Sequence, residues 1–169
     1  MKQTNWVGEN VCLRYAEWEQ STGEISRIID TWTVAASYSF ICKLVDATVI
    51  ANRLWEHTSN ESEGSTKSTI YVRPWSGEVV SEYRAAIEHT LFHGACDVAE
   101  PFEVEWQMWQ RDTGQFACSI KSKPPHSLDV ASLLLDHYSE VDGISVDILY
   151  TVLDADRNKL LLFVQMHEQ

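Results

Sequence analysis

The chain has 169 residues, and 25 acidic against 13 basic side chains give it a formal net charge of −12. This balance argues against a nucleic-acid binder with a broad basic surface, because neutralising phosphates requires a surplus of Lys and Arg. It argues equally against a basic helix lying on a membrane surface. Since 44% of the residues are hydrophobic and 11% aromatic, disorder is also disfavoured. We therefore expect an acidic globular protein.

The length favours a single domain over residues 1–169. No apolar stretch of signal-peptide length follows Lys2, and no run approaches the ~18 apolar residues of a membrane span. We therefore predict a cytoplasmic protein that makes no membrane contact. The four cysteines form no CxxC pair, so we expect free thiols and no cofactor.

A polar tract over 58–68 predicts a mobile loop between an N-terminal part, 1–57, and a C-terminal part, 69–169. Within 1–57, two β-rich runs over 10–19 and 24–30 flank a Gly23 turn and predict a hairpin. Alternating apolar residues from Trp32 to Cys42 predict a half-buried strand. The apolar spacing from Ala47 to Trp55, behind Asp46, predicts an amphipathic helix.

In the C-terminal part, a short strand over 69–73 is followed by a helix predicted from Ser76 to Gly94. A hairpin over 102–110 and 116–120 leads to a second helix, which is predicted to begin at Ser127, to carry an apolar stripe as far as Tyr138 and to end at Asp142-Gly143. Two more strands, 144–152 and 160–166, complete a β-α-β-β-α-β-β order. This order suggests a ferredoxin-like arrangement with an extra strand. We thus predict an α+β fold, with mostly antiparallel sheets of about seven or eight strands and about three helices.

Two groups of residues suggest enzyme chemistry. His89 and His93 are four residues apart on a predicted helix, with Cys96 nearby, and such a face can chelate a metal ion. The same pattern also describes an ordinary polar helix flank. Glu103 and Glu105 share a strand face and could act as an acid–base pair, but Gln107 in the same row is typical of a solvated face.

Negative charge is concentrated late in the chain. Residues 1–67 carry 9 acids and 6 bases, and residues 68–169 carry 16 acids and 7 bases, so the net charges are −3 and −9. Between Asp129 and Asp156 there are seven acids and no Lys or Arg. Such a region can simply maintain solubility, or it can attract a basic partner.

The last predicted hairpin is apolar on both faces, so it is either sandwiched between layers or exposed as an interface. If it is exposed, its apolar row and the neighbouring acids form a partner-binding surface. That predicted surface consists of Asp142, Asp147, Leu149, Leu153, Asp154, Asp156, Leu161 and Phe163.

The chain lacks the glycine-rich motifs that cradle nucleotides and the Gly-x-Ser-x-Gly motif of a serine nucleophile. We therefore favour a non-enzymatic binding protein that engages, and inhibits or neutralises, a basic protein partner of the toxin or effector kind, as an immunity protein does. Direct nucleic-acid binding is not expected. The alternatives are a small metal-dependent enzyme or ligand-binding domain using His89, His93 and Cys96, and a homodimer formed through the last hairpin.

Overall fold

A computed structural model describes residues 8–94 and 96–168. Its three α-helices are α1 (Ala36–Leu44), α2 (Arg84–His89), which continues into a π-helical turn over Thr90–Gly94, and α3 (Ser127–Leu135). Its strands are β1 (Asn10–Glu19), β2 (Glu24–Ala35), β3 (Ala47–Ile50), β4 (Arg53–Glu63), β5 (Lys67–Pro74), β6 (Glu103–Gln110), β7 (Gln115–Ser122), β8 (Tyr138–Val141), β9 (Ile144–Asp154) and β10 (Lys159–Met166).

The described strands form one ten-stranded sheet in the order β2-β1-β5-β4-β3-β9-β10-β6-β7, with β8 paired to β9. The α+β class and the three helices agree with the sequence prediction. The prediction of a mostly antiparallel sheet agrees with six of the nine strand pairings. The sheet is nevertheless mixed, because β1 and β5, β3 and β9, and β6 and β10 pair in parallel, and it has ten strands instead of the seven or eight predicted. The ferredoxin-like arrangement was wrong, because β5 pairs with β1 and β4 instead of with a C-terminal strand.

Helices cover both faces of the sheet. One hydrophobic core contains residues of α1 and α3 together with Leu160 and Leu162 of β10. A second core contains residues of α2 together with Leu161 and Phe163 of the same strand. Because alternate residues of a strand point to opposite faces, β10 supplies both cores and is therefore continuously apolar from Leu160 to Val164. None of the described helices is long and apolar enough to cross a membrane.

Several predicted elements are confirmed. The hairpin of β1 and β2 turns at Gly23, whose φ of +68° lies in the left-handed region that glycine adopts easily. The β6–β7 and β9–β10 hairpins and the start of α3 also lie where the sequence placed them. Their clear turn residues and strand periodicity account for this agreement.

The helix predicted over residues 47–55 was wrong, because this segment is the β3–β4 hairpin. All four β3 residues are buried, so the strand shows no polar alternation that would distinguish it from a buried helix. Asp46 does not cap a helix; it accepts hydrogen bonds from the backbone N and the hydroxyl of Thr151, both over 2.8 Å. The hairpin turns at Ala51 and Asn52, both with positive φ.

Three other segments differ from prediction. The strand predicted over 32–42 ends at Ala35, and α1 follows it, since Tyr38, Ile41 and Cys42 also fit a helical spacing and are buried together. The loop predicted over 58–68 belongs largely to β4 and β5, which pair there as an exposed polar ribbon. The helix predicted from Ser76 starts at Arg84, after turns that include Gly77 with a φ of +70°.

Candidate functional site

The hairpin of β9 and β10, which the sequence offered as an exposed interface, is the centre of the sheet. Leu153, Leu161 and Phe163 are fully buried, and Leu149 is half-buried against the second core. Each fully buried large apolar side chain contributes about 1.5–3 kcal/mol to folding, so these residues stabilise the protein. They offer no surface to a partner. The hairpin is sandwiched between layers, which was the other alternative for it.

The acids that the sequence placed beside that hairpin lie apart from one another in the structure. Asp154 is buried and forms an ion pair with Arg157 over 2.9 Å, and Asp156 accepts hydrogen bonds from the backbone of Ala51 and Asn52. Asp142 precedes β9 and Asp156 follows it, and the 11 residues of β9 place these two acids roughly 35 Å apart along the strand. The predicted acids therefore do not form one patch.

A different surface combines exposed apolar and acidic side chains. Helices α1 and α3 pack side by side on one face of the sheet. On α3, Leu128 and Leu135 are seven residues apart and therefore share a helix face, and they are 76% and 67% exposed. Phe40 of α1 is 63% exposed. We name the outer side of these two helices the α1–α3 surface.

Acidic side chains accompany the α1–α3 surface. Asp129 and Asp136 flank the two leucines in sequence and are exposed. Strand β8 follows immediately and exposes Tyr138 and Glu140. The segment 128–144 thus carries four acids and no Lys or Arg. Exposed apolar side chains beside charge of a single sign are typical of an interaction site.

The predicted metal-binding residues His89, His93 and Cys96 lie at the end of α2 and just beyond it, and all three are exposed. The two imidazole rings are tilted by 32° with centroids 5.6 Å apart. Among the described residues, the His, Cys, Asp and Glu side chains that lie within ligating distance of one another are Asp97, Glu103 and Glu105. The structure therefore does not gather the predicted trio around a common point.

The Glu103–Glu105 row, which the sequence described as a solvated face, is buried with Gln107. Lys159 begins β10 opposite Glu103 and is fully buried. Its Nζ lies 2.9 Å from Oε1 of Glu105 and 3.0 Å from Oδ1 of Asp97. The buried ammonium therefore occupies the position where a metal ion would contact Glu105 and Asp97.

Lys121 of the neighbouring strand β7 completes the charge cluster. Its Nζ lies 3.2 Å from Oε1 of Glu105, 3.3 Å from Oδ2 of Asp97 and 3.8 Å from Oε1 of Glu103. The hydrogen bond from Lys159 lowers the pKa of Asp97 to about 2, and the hydrogen bond to Glu105 raises the pKa of Lys121. The sequence did not reveal this cluster, because the parallel pairing of β6 and β10 was not predicted.

A cavity of about 320 Å³ lies beside the cluster, between α2 with its π-helical turn and strands β6 and β7. It is lined by His89, Thr90, Gly94, Asp97, Glu105, Gln107, Gln115, Phe116, Cys118 and Lys121. Burial, with the nearby Glu105 carboxylate, raises the pKa of the Cys118 thiol. Cys118 is therefore a protonated thiol at neutral pH and not an activated nucleophile. The lining can bind a polar ligand without supplying covalent chemistry.

Two regions therefore stand out on opposite faces of the sheet: the α1–α3 surface, and the cavity beside the charge cluster. Comparisons with protein-family models, with curated proteins and with solved structures find no match to this chain. We therefore infer function from the chemistry of the chain's own residues.

Proposed function

We propose that this chain is a non-enzymatic binding protein that engages a basic protein partner through the α1–α3 surface. The observation that carries the proposal is the exposure of Leu128 and Leu135 on one face of α3, with acids beside them. An ordinary surface helix turns polar residues to solvent and keeps its leucines for the core. Here Val130 already provides the fully buried contact of α3, and the outer leucines contribute little to folding.

The apolar side chains supply the binding energy in this proposal. Residues spaced by about two helical turns are the anchors that helix-mediated interfaces use. Phe40 on the adjacent helix α1 is a third exposed apolar side chain. Complete burial of each such side chain contributes about 1.5–3 kcal/mol, before the cost of association is subtracted. Val79 and Val98 are also exposed but lie outside the described helices, and scattered exposed apolar residues are normal on protein surfaces.

The charge selects the partner. Asp129, Asp136 and Glu140 place negative charge beside the apolar residues, and the net charge of −12 extends the field around the protein. Such a field accelerates encounters with a basic surface and repels acidic proteins, and the effect weakens as salt screens it. A basic partner therefore binds faster at low ionic strength, while the leucines slow its dissociation.

A neutralising role follows from the class of partner. Basic proteins that act on nucleic acid hold the phosphate backbone with Lys and Arg side chains. An acidic protein that covers those side chains competes with the nucleic acid for the same surface. We therefore propose a basic toxin or effector as the partner, with inhibition by occlusion.

The test is affinity capture in the native host with matched double variants. Leu128→Ser with Leu135→Ser removes the apolar anchors, and Asp129→Asn with Asp136→Asn removes the adjacent charge. Ile25→Ser with Ile28→Ser is the control, because both isoleucines are exposed on the distant edge strand β2. We expect the wild type and the control to retain the same basic protein, and the serine variant to lose it.

The double variant Asp129→Asn with Asp136→Asn distinguishes the effect of charge on the association rate from the effect of the leucines on dissociation. We expect it to retain the partner at low salt and to associate more slowly than the wild type. Three results would contradict the proposal: no basic protein is retained, the control loses the partner as fully as the serine variant does, or light scattering shows a dimer that the serine variant dissociates. In the last case the α1–α3 surface would bind a second copy of this chain.

A further inference from the structure

We propose that a cavity in the N-terminal half of the sheet binds a neutral saccharide. The cavity has a volume of about 570 Å³ and lies between the ends of β1, β4 and β5 and the loop before α2. Trp55 and Val72 belong to the first core, so their neighbours Glu56 and Arg73 point to the opposite face of the sheet. The site is therefore separate from the α1–α3 surface and does not depend on the proposed protein partner.

The charges that line this cavity cancel. Of its described lining residues, Glu56 and Arg73 are charged at neutral pH, and Nε of Arg73 donates to Oε2 of Glu56 over 2.6 Å. His57 also lines the cavity but is neutral there, because burial lowers its pKa to about 4. The net charge of −12 opposes an anion, and the guanidinium of Arg73, the more exposed member of the pair, opposes a cation. A neutral ligand therefore suits this cavity.

Arg73 presents hydrogen-bond donors to the cavity from a fixed position. Its partner Glu56 is only 6% exposed and contacts Nε, and the two terminal nitrogens of Arg73 donate no hydrogen bond to residues 8–94 or 96–168. A planar guanidinium can donate in parallel to two adjacent oxygen atoms, such as neighbouring hydroxyls of a sugar ring. Gln20 and Ser59 line the same cavity and add an amide and a hydroxyl, which can both donate and accept.

Trp18 supplies the apolar side of the cavity. Its indole packs against Tyr71 with ring centroids 5.5 Å apart and planes 74° apart, and Trp18 itself is half-buried. One face of a pyranose ring carries mainly C–H bonds and packs on an aromatic side chain, while its hydroxyls lie at the edge and need polar partners. The cavity offers both kinds of contact, and its volume is within the usual range for ligand pockets. This combination favours a saccharide over a purely apolar ligand.

Nuclear magnetic resonance titration of the full chain with cellobiose, maltose and N,N′-diacetylchitobiose tests the proposal. We expect at least one disaccharide to cause saturable shifts of the Gln20, Ser59 and Arg73 amides and of the Trp18 indole N–H. Sorbitol carries similar hydroxyls without a ring face and is expected to bind at least about tenfold more weakly. Absence of saturable shifts with all three disaccharides would overturn the proposal, and so would sorbitol binding as tight as that of the best disaccharide.

A pair of aromatic variants connects the binding to the cavity. Trp18→Ala removes the aromatic wall, and we expect it to weaken binding of the best disaccharide by at least about tenfold. Tyr138→Ala removes an aromatic side chain that is 65% exposed on β8, and we expect it to leave binding unchanged. Equal affinities of these two variants would contradict the site. Urea denaturation of each variant checks that the fold is retained.

Arg73→Lys tests the same site without removing a large apolar side chain. The lysine keeps a positive charge beside Glu56 but lacks the planar guanidinium. We expect disaccharide binding about tenfold weaker than in the wild type, with a similar midpoint of urea denaturation. Unchanged binding in this variant would show that the guanidinium does not contact the ligand and would overturn the proposal.

Further titrations test the class of ligand. Glucuronate and glucosamine carry opposite charges on a sugar ring, and we expect neither to bind more tightly than glucose. Tighter binding of either would contradict a neutral ligand. Adenosine joins a flat aromatic base to a ribose, and we expect it to bind more weakly than the best disaccharide. If adenosine binds more tightly than every disaccharide, the cavity is a nucleoside site and the saccharide proposal is wrong.

Discussion

Lys159 donates a hydrogen bond from Nζ to Oε1 of Glu105 over 2.9 Å, and neither side chain is more than 1% exposed. The pair joins β10 to β6, which lie in parallel in the second half of the sheet. Asp97 accepts a second hydrogen bond from the same ammonium, so the loop before β6 is tied to the first residue of β10. The cluster therefore fixes both the sheet and one wall of the cavity.

Replacing Lys159 by Met is expected to lower the free energy of unfolding by about 3–5 kcal/mol, because Glu105 would keep a buried charge with only Lys121 beside it. The double variant Lys159→Met with Glu105→Leu is expected to recover part of that loss. Urea denaturation at pH 7 measures both changes. Equal stability of the wild type and the Lys159→Met variant would contradict the buried ion pair.

His57 gives the protein a pH-dependent stability. Burial lowers the pKa of His57 to about 4 from 6.5, and its ring shares a 2.8 Å hydrogen bond with Thr48. Because the unfolded chain binds this proton more readily, the stabilisation is complete above pH 6.5 and is lost as the pH falls from 6.5 towards 4. The expected loss is about 3 kcal/mol.

The pH measurement compares wild type with His57→Gln by urea denaturation between pH 7.5 and 4. Burial raises the pKa of both Asp46 and Asp154, which stabilises the fold as the pH falls and opposes the histidine effect. Both proteins share these aspartates, so the difference between the two curves isolates His57. Parallel curves would show that His57 titrates normally in the folded protein.

The turn at Ala51 offers a stabilising substitution. Ala51 has a φ of +52°, in the left-handed region that costs a residue with a Cβ roughly 1 kcal/mol relative to glycine. Ala51→Gly is therefore expected to raise the free energy of unfolding by up to about 1 kcal/mol, after the entropy of the unfolded chain is included. Ala51→Val is the opposing control and is expected to destabilise the hairpin. Thermal denaturation of the wild type and both variants measures these changes. A melting temperature of the glycine variant below that of the wild type would contradict this expectation.

Sequence patterns predicted the elements whose turns and alternation are local. The β1–β2 hairpin has its Gly23 turn, and the β6–β7 hairpin has its Gly114 turn, with φ near +64°. The β3 strand was missed because burial on both faces removes alternation. The start of α1 was missed because Tyr38, Phe40 and Cys42 continue a strand alternation, while Tyr38, Ile41 and Cys42 fit the helical spacing that the structure adopts.

The candidate sites depend on contacts that are remote in sequence. Glu103 and Glu105 resemble a solvated row until Lys159, more than 50 residues later, forms an ion pair with Glu105 across parallel strands. A lysine at the head of the apolar run Leu160–Val164 was the available signal, since a cation there must be paired if the strand is central. The sequence analysis did not single out the exposed Leu128 and Leu135, because it extended the apolar stripe of this helix through Tyr138, whereas the helix ends at Leu135 and β8 begins at Tyr138.

The most direct test of the central proposal is site-specific photo-crosslinking in the native host. A photoreactive amino acid replaces Leu128 on the α1–α3 surface in one variant and Ile25 on the β2 edge in the other. We expect position 128 to yield one discrete adduct with a basic protein, and position 25 to yield none. No adduct at 128, an adduct with an acidic protein, or the same adduct at both positions would contradict the proposed function.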